Sequence, residues 1–182
     1  MRIIPTEKII ALAISKIVPD VNIGYGNRLE LHKFLANGKA LDHQNFIIST
    51  NEKNYKQYPL IWVVGSILTD SIEDNLFLAK KARIIFSVNN ACISDTNDQR
   101  EVKSYSILSP IAEKVIERFT KSQLVGFEDK LNPKYSFFRE PNYSENQKEN
   151  ATIDIWDALV IDANLILNTN CLTHKELIEC RN

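Results

Sequence analysis

From Tyr58 to Asn90 the chain reads YPLIWVVGSILTDSIEDNLFLAKKARIIFSVNN, two strand-length runs joined by a polar stretch. The first, Tyr58 to Leu68, is almost continuously apolar and rich in β-branched and aromatic residues, the pattern of a strand covered on both faces. The second alternates. Leu76, Leu78, Ala82, Ile84, Phe86 and Val88 form one face, while Lys81, Arg83, Ser87 and Asn89 form the other, as in a strand with one side in water. Lys80 is the one charge on the apolar face. Thr69 to Asp74 carries the Asp and Ser residues that favour turns, so the whole predicts a long hairpin over about 58–90.

Two helices flank it. Residues 5–18 are apolar on more than one side, through Ile9, Ile10, Leu12, Ala13, Ile14, Ile17 and Val18, with Pro5 in the opening turn and Pro19 past the end. Such a helix either packs under the sheet or meets another subunit, and the core is the expected place. At 109–121, Ser109 is a natural cap and Pro110 suits the first helical position. There Ile111, Ala112, Val115, Ile116 and Phe119 continue an apolar stripe from Tyr105 and Leu108, opposite Glu113, Lys114, Glu117, Arg118 and Lys121.

The remaining segments are less regular. Residues 20–57 are poorly defined, with turn signals at Gly24-Tyr25-Gly26-Asn27 and Asn37-Gly38, a short helical or extended piece at 28–35 and a possible strand at 46–49. Residues 91–103 read as a polar loop whose spaced Asp95 and Asp98 lack the glycine and distal glutamate of a calcium loop. A short strand is expected at 134–138, a polar loop at 140–152, one or two strands at 153–168 split by Asp162-Ala163-Asn164, and a last helical turn or frayed tail beyond Thr173. The order predicts a single α+β domain over 1–182, a mostly antiparallel sheet with both helices on one face.

Composition narrows the function. The 182 residues carry 22 Lys plus Arg against 23 Asp plus Glu, so no global field draws the chain to nucleic acid or to an anionic surface. No apolar run approaches the roughly 20 residues that span a bilayer, and the charged residues around the first apolar run argue against a signal peptide, so no membrane partner is expected. Cys92, Cys171 and Cys180 form neither a CxxC pair nor an even set, which suggests reduced thiols in a cytoplasmic setting.

Chemistry is sparsely signalled. His32, His43 and His174 lie far apart, without a partnering nucleophile or a second ligand at metal spacing. No nucleophile elbow, phosphate loop or zinc-protease motif is present, so no catalytic, cofactor-binding or metal-binding residue is assigned and the chain is not expected to be an enzyme. Lys80, Lys81 and Arg83 are the densest basic cluster, but neighbours on a strand alternate faces and cannot all follow one phosphate track. The alternative is a small enzyme or ligand-binding domain whose pocket is rimmed by 20–57 and 140–152, with His32 or His43 meeting a carboxylate. A nucleic-acid adaptor with salt-sensitive affinity ranks behind it.

The apolar amino-terminal helix, the Tyr58-Pro59-Leu60-Ile61-Trp62 strand opening a hairpin, the proline-bearing amphipathic helix and the late Asp154-Ile155-Trp156-Asp157-Ala158-Leu159 strand together resemble bacteriophage tail terminator and tail-completion proteins of the head–tail junction. The likeness covers Pro5 to Val18 and Tyr58 to Cys171. It implies a structural virion protein, assembled in the host cytoplasm, that forms a homo-oligomeric ring, usually a hexamer or, for a connector, a dodecamer. Such a ring caps the tail tube and docks it to the head, neck or connector. Its implied partners are its own copies and tail-tube, neck or portal-proximal proteins, with genome DNA passing through unread. Ring closure needs heterologous contacts, and on this resemblance Lys81 and Arg83 face a neighbouring subunit or the lumen.

Overall fold

In the computed structural model the described residues are 5–27, 29–31, 58–89, 94–144 and 155–172. They build an α+β fold around two 14-residue strands, β4 (Leu76–Asn89) and β7 (Ile155–Asn168). These run antiparallel along nearly their whole length, from Leu76 opposite Asn168 to Asn89 opposite Trp156. β2 (Leu60–Val64) pairs with the second half of β4 and β3 (Leu68–Glu73) with the first. On the far side, β6 (Tyr135–Ser144) and β5 (Val125–Phe127) share the edge of β7 in the same way. β1 (Asn22–Gly26) adds in parallel to β2.

Both long helices lie on one face of this sheet. α1 (Thr6–Ile17) buries Ile9, Ile10 and Ile14 over β1, β2 and β5. After α2 (Asn97–Arg100) and a π-helical turn at Glu101–Tyr105, α3 (Ser106–Lys121) buries Leu108, Ala112, Val115 and Phe119 against β4, β5 and β7. The main core fills the space between, through Ile23, Ile61, Val63, Ile84, Phe86, Leu159 and Ile161. The expected apolar stripes therefore fall on the buried sides.

The expected hairpin is present, but its first arm is broken in two. β2 ends at Val64, and the polar residues expected to turn instead form β3, so the tight turn lies later, at Asp74–Asn75. Asn75 takes the left-handed conformation at φ 65°, which asparagine tolerates better than most residues.

β4 also differs from simple alternation. Its register against β7 shifts between Ala79 and Ala82, and Lys81 sits at φ 51°, the signature of a β-bulge. One extra residue turns the strand over. Phe77 and Ala79 join Ala82, Ile84, Phe86 and Val88 on the helix side, while Lys80 leaves the core and pairs with Asp70 of β3 on the outer side. The charge that violated the alternation marks the bulge.

Past Arg83 the outer face is not in water. Ile85 and Ser87 are buried there, and the Ser87 hydroxyl donates to the Leu60 carbonyl at 3.2 Å. Trp62 and Trp156 fill this side together with Leu31. Trp62 lies over Gly24, where a Cβ would overlap its ring, and its indole N–H donates to the Gly26 carbonyl at 3.0 Å. The Gly-Tyr-Gly expected as a turn is thus a strand whose first glycine makes room for an aromatic ring.

Three boundaries also move. The helix expected to begin at Ser109 is reached through helical turns from Asn97, capped by Thr96, whose hydroxyl accepts from the Gln99 backbone while the Gln99 side chain accepts from the Thr96 N–H at 2.8 Å. Pro110 lies inside α3, and the wide π turn directly precedes that helix, with the Ser106 N–H reaching the Glu101 carbonyl five residues back. β6 continues through Pro141 to Ser144, so the expected 140–152 loop opens as strand, with a register shift between Glu140 and Tyr143. The rest of that loop, the expected 46–49 strand and the tail beyond Leu172 lie outside the described residues.

Candidate functional site

The outer face opens to solvent at the bulge. There Lys81 and Arg83 of β4, Asp162, Ala163 and Asn164 of β7, and Lys134, Tyr135 and Ser136 at the start of β6 line a shallow groove of about 640 Å³. Both residues singled out from the sequence come to one place. They reach it differently, because Lys81 sits in the bulge and Arg83 in the regular strand beyond it.

Arg83 is held flat. Its Nε and Nη2 donate to the two carboxylate oxygens of Asp162, directly opposite on β7, at 2.8 and 2.7 Å, and its guanidinium lies 5.9 Å from the Phe138 ring centre. The pair is substantially solvated, with side chains 44% and 30% exposed. Truncating Arg83→Ala is expected to cost only about 0.5–1 kcal/mol in chemical denaturation. A loss above about 2 kcal/mol would mean that the pair carries core energy.

Lys81 serves through its backbone first. Its N–H donates to Asn164 Oδ1 at 3.0 Å, and Asn164 Nδ2 donates to Glu128 Oε2 at 3.0 Å. Asn164 thus ties the bulge to the connection between β5 and β6. This is why Asp162-Ala163-Asn164, expected as a break, stays within one continuous strand: its polar members serve the outer face while Ala163 stays buried.

The same connection is braced further along. Asp129 Oδ1 accepts from the Leu131 and Asn132 backbone N–H groups, both at 3.0 Å, and the Asn132 contact above all holds its carboxyl below the usual aspartate range. Leu131 nonetheless stands 91% exposed just before Lys134.

A second polar cluster is buried near the other end of β7. Asp157 is fully buried; its Oδ1 accepts from Arg100 Nη1 and its Oδ2 from the Ser104 hydroxyl at 2.6 Å. Arg100 Nε donates to the Asp95 carbonyl at 3.0 Å, and Asp95 pairs with Lys103 at 3.0 Å. The segment read as a solvated loop therefore docks a buried cation on the strand. The adjacent Tyr105 hydroxyl is buried without a partner among the described residues; burial first, and then the Asp157 carboxylate, pushes its ionisation above the ordinary phenol range. Arg139 covers the ring at 4.7 Å while pairing with Glu101 at 2.6 Å.

Lys134, Tyr135, Asp162 and Asn164 in the groove, and Arg100, Ser104 and Asp157 in the buried cluster, were not indicated by motif. The available signal was charge inside apolar runs. Asp157 and Asp162 interrupt the most apolar strand, and a cation must face each.

Among the described residues no group of histidine, cysteine and acidic side chains is arranged to hold a metal ion, and no helix is long and apolar enough to cross a membrane. The three histidines lie outside the described residues, as do Cys92 and Cys180, while Cys171 is half-buried with a free thiol. The pocket rim expected from 20–57 and 140–152 falls largely on the same undescribed segments. No known protein family matches the chain, and no curated protein is significantly similar to it.

Proposed function

We propose that this chain is a structural subunit of a phage particle, a ring-forming tail terminator, tail-completion or neck protein that caps the tail and docks it to the head or connector. The observation that carries the reading is the division of the sheet's outer face. One end is sealed by Trp62, Trp156, Ile85 and Val160, whereas the other presents an ordered polar groove and a hairpin with exposed apolar residues. A subunit that closes a ring needs such built but uncovered surfaces at separate places, so that the patch on one copy meets a different patch on the next.

Capping supplies a functional test. Added to growing tail tubes, the protein is expected to bind one tube end and stop elongation, visible by electron microscopy as tubes bearing a terminal ring. Tubes that grow unchanged in its presence, beside neck proteins to which it also fails to bind, would refute the reading.

A further inference from the structure

The β3–β4 hairpin and the groove are opposite in charge and matched in polarity. At the tip, Glu73, Asp74 and Asn75 are all exposed, next to Ile72 at 48% exposure. Among the described residues neither Glu73 nor Asp74 has an ion-pair partner, unlike Asp70 behind them, which holds Lys80. The tip is fixed rather than free: the Thr169 N–H donates to the Asn75 carbonyl at 2.8 Å, bracing it on the end of β7. In the groove Lys81, Arg83 and Lys134 outnumber the single carboxylate of Asp162, and the connection leading into it presents Leu131.

From this we infer that the groove receives the β3–β4 hairpin tip of a second copy of this chain, the carboxylates of Glu73 and Asp74 lying between Lys81 and Lys134 and Ile72 beside the tip meeting the Leu131 side. The inference rests on the ring reading and specifies which surfaces close the ring. Charge complementarity selects this occupant over another groove, which would bring like charges together. Bracing by Thr169 lowers the ordering cost of docking. Because hairpin and groove are different patches, the contact is head-to-tail and can repeat around a ring.

Paired charge reversals test it. Glu73→Lys with Asp74→Lys reverses the tip, and Lys81→Glu with Lys134→Glu reverses the groove. Each double variant alone is expected to lose self-association by at least tenfold, measured by sedimentation across a concentration series. An equimolar mixture of the two is expected to regain it, because both contacts in an alternating ring are again complementary. The quadruple variant is expected to assemble by itself. Recovery on mixing also demonstrates that the variants fold. If the wild-type chain assembles and the single reversals assemble equally well, the hairpin–groove contact is wrong while the ring reading stands. Reversals that stay dissociated on mixing would likewise overturn the contact. A wild-type chain that never assembles defeats both. Binding of short duplex DNA that is lost only on groove reversal, with assembly intact, would reassign the groove to nucleic acid.

Discussion

Asp157→Ala is expected to cost about 3–5 kcal/mol, the usual price of breaking a buried ion pair from one side. Arg100 and Asp157 are 3% and 0% exposed, so removing the carboxylate leaves a guanidinium without its main anion and without water. Ser104 loses its acceptor at the same stroke. Against a total stability of about 5–15 kcal/mol for an ordinary domain, that loss brings the variant close to unfolding at room temperature. The conjugate experiment is the double replacement Arg100→Met with Asp157→Leu, which removes both charges and keeps apolar volume; it is expected to recover most of the loss. Urea denaturation of the three chains decides the matter. A single variant within about 1 kcal/mol of the parent would show that the pair is not a structural element of the core.

Deleting Lys81 is expected to be tolerated, for a geometric reason. Ala79 and Ala82 face Leu165 and Ala163, so β4 takes three steps where β7 takes two, and without the extra residue the two strands run in regular register. Phe77 and Ala79 then stay against the helices, and Lys80, alone between Ala79 and Ala82, stays outward beside Asp70. What is lost is the backbone bond from Lys81 to Asn164, about 1 kcal/mol, offset by removing a left-handed residue. Lys81→Gly serves as the control. It keeps the residue count and relieves a left-handed conformation that costs a side chain about 1–2 kcal/mol, so it is expected to be neutral or stabilising. A deletion that costs more than about 3 kcal/mol would mean that β4 alternates without a bulge in solution, since losing a residue from a regular strand turns one half over.

These two sites show where the fold was legible from the amino-acid sequence. Wherever period two or period 3.6 runs without interruption, the element and its buried side follow from it, as in the Val115 and Phe119 stripe of α3 or Ile84, Phe86 and Val88 of β4. Where a strand is paired on both edges or slips by one residue, local pattern does not suffice. The polar run Thr69 to Glu73 is a strand because β4 offers it a partner, which turn propensity cannot register. Lys80 was the visible anomaly, and only the pairing with β7 explains it. Pro110 was read as a helix start because prolines favour that position, yet the chain enters the helix earlier, from the Thr96 cap.

The groove was legible only in part. Lys81 and Arg83 lie on one short stretch and were visible together, but their partners Asp162, Asn164 and Lys134 arrive from distant strands. Cross-strand pairing over 79 residues, as between Arg83 and Asp162, leaves no local trace in one sequence. The buried Arg100–Asp157 pair is hidden for the same reason: on its own segment Arg100 stands among polar neighbours and looks solvated.

A closed ring of identical subunits is the proposed working form of the chain. Its most direct test is the mass of the purified protein by light scattering over a wide concentration range, with electron microscopy of the same samples. The expected result is one discrete oligomer that images as closed rings, alone or seated on tail-tube or neck proteins. A strict monomer at high concentration, with no ring even beside those partners, would contradict it.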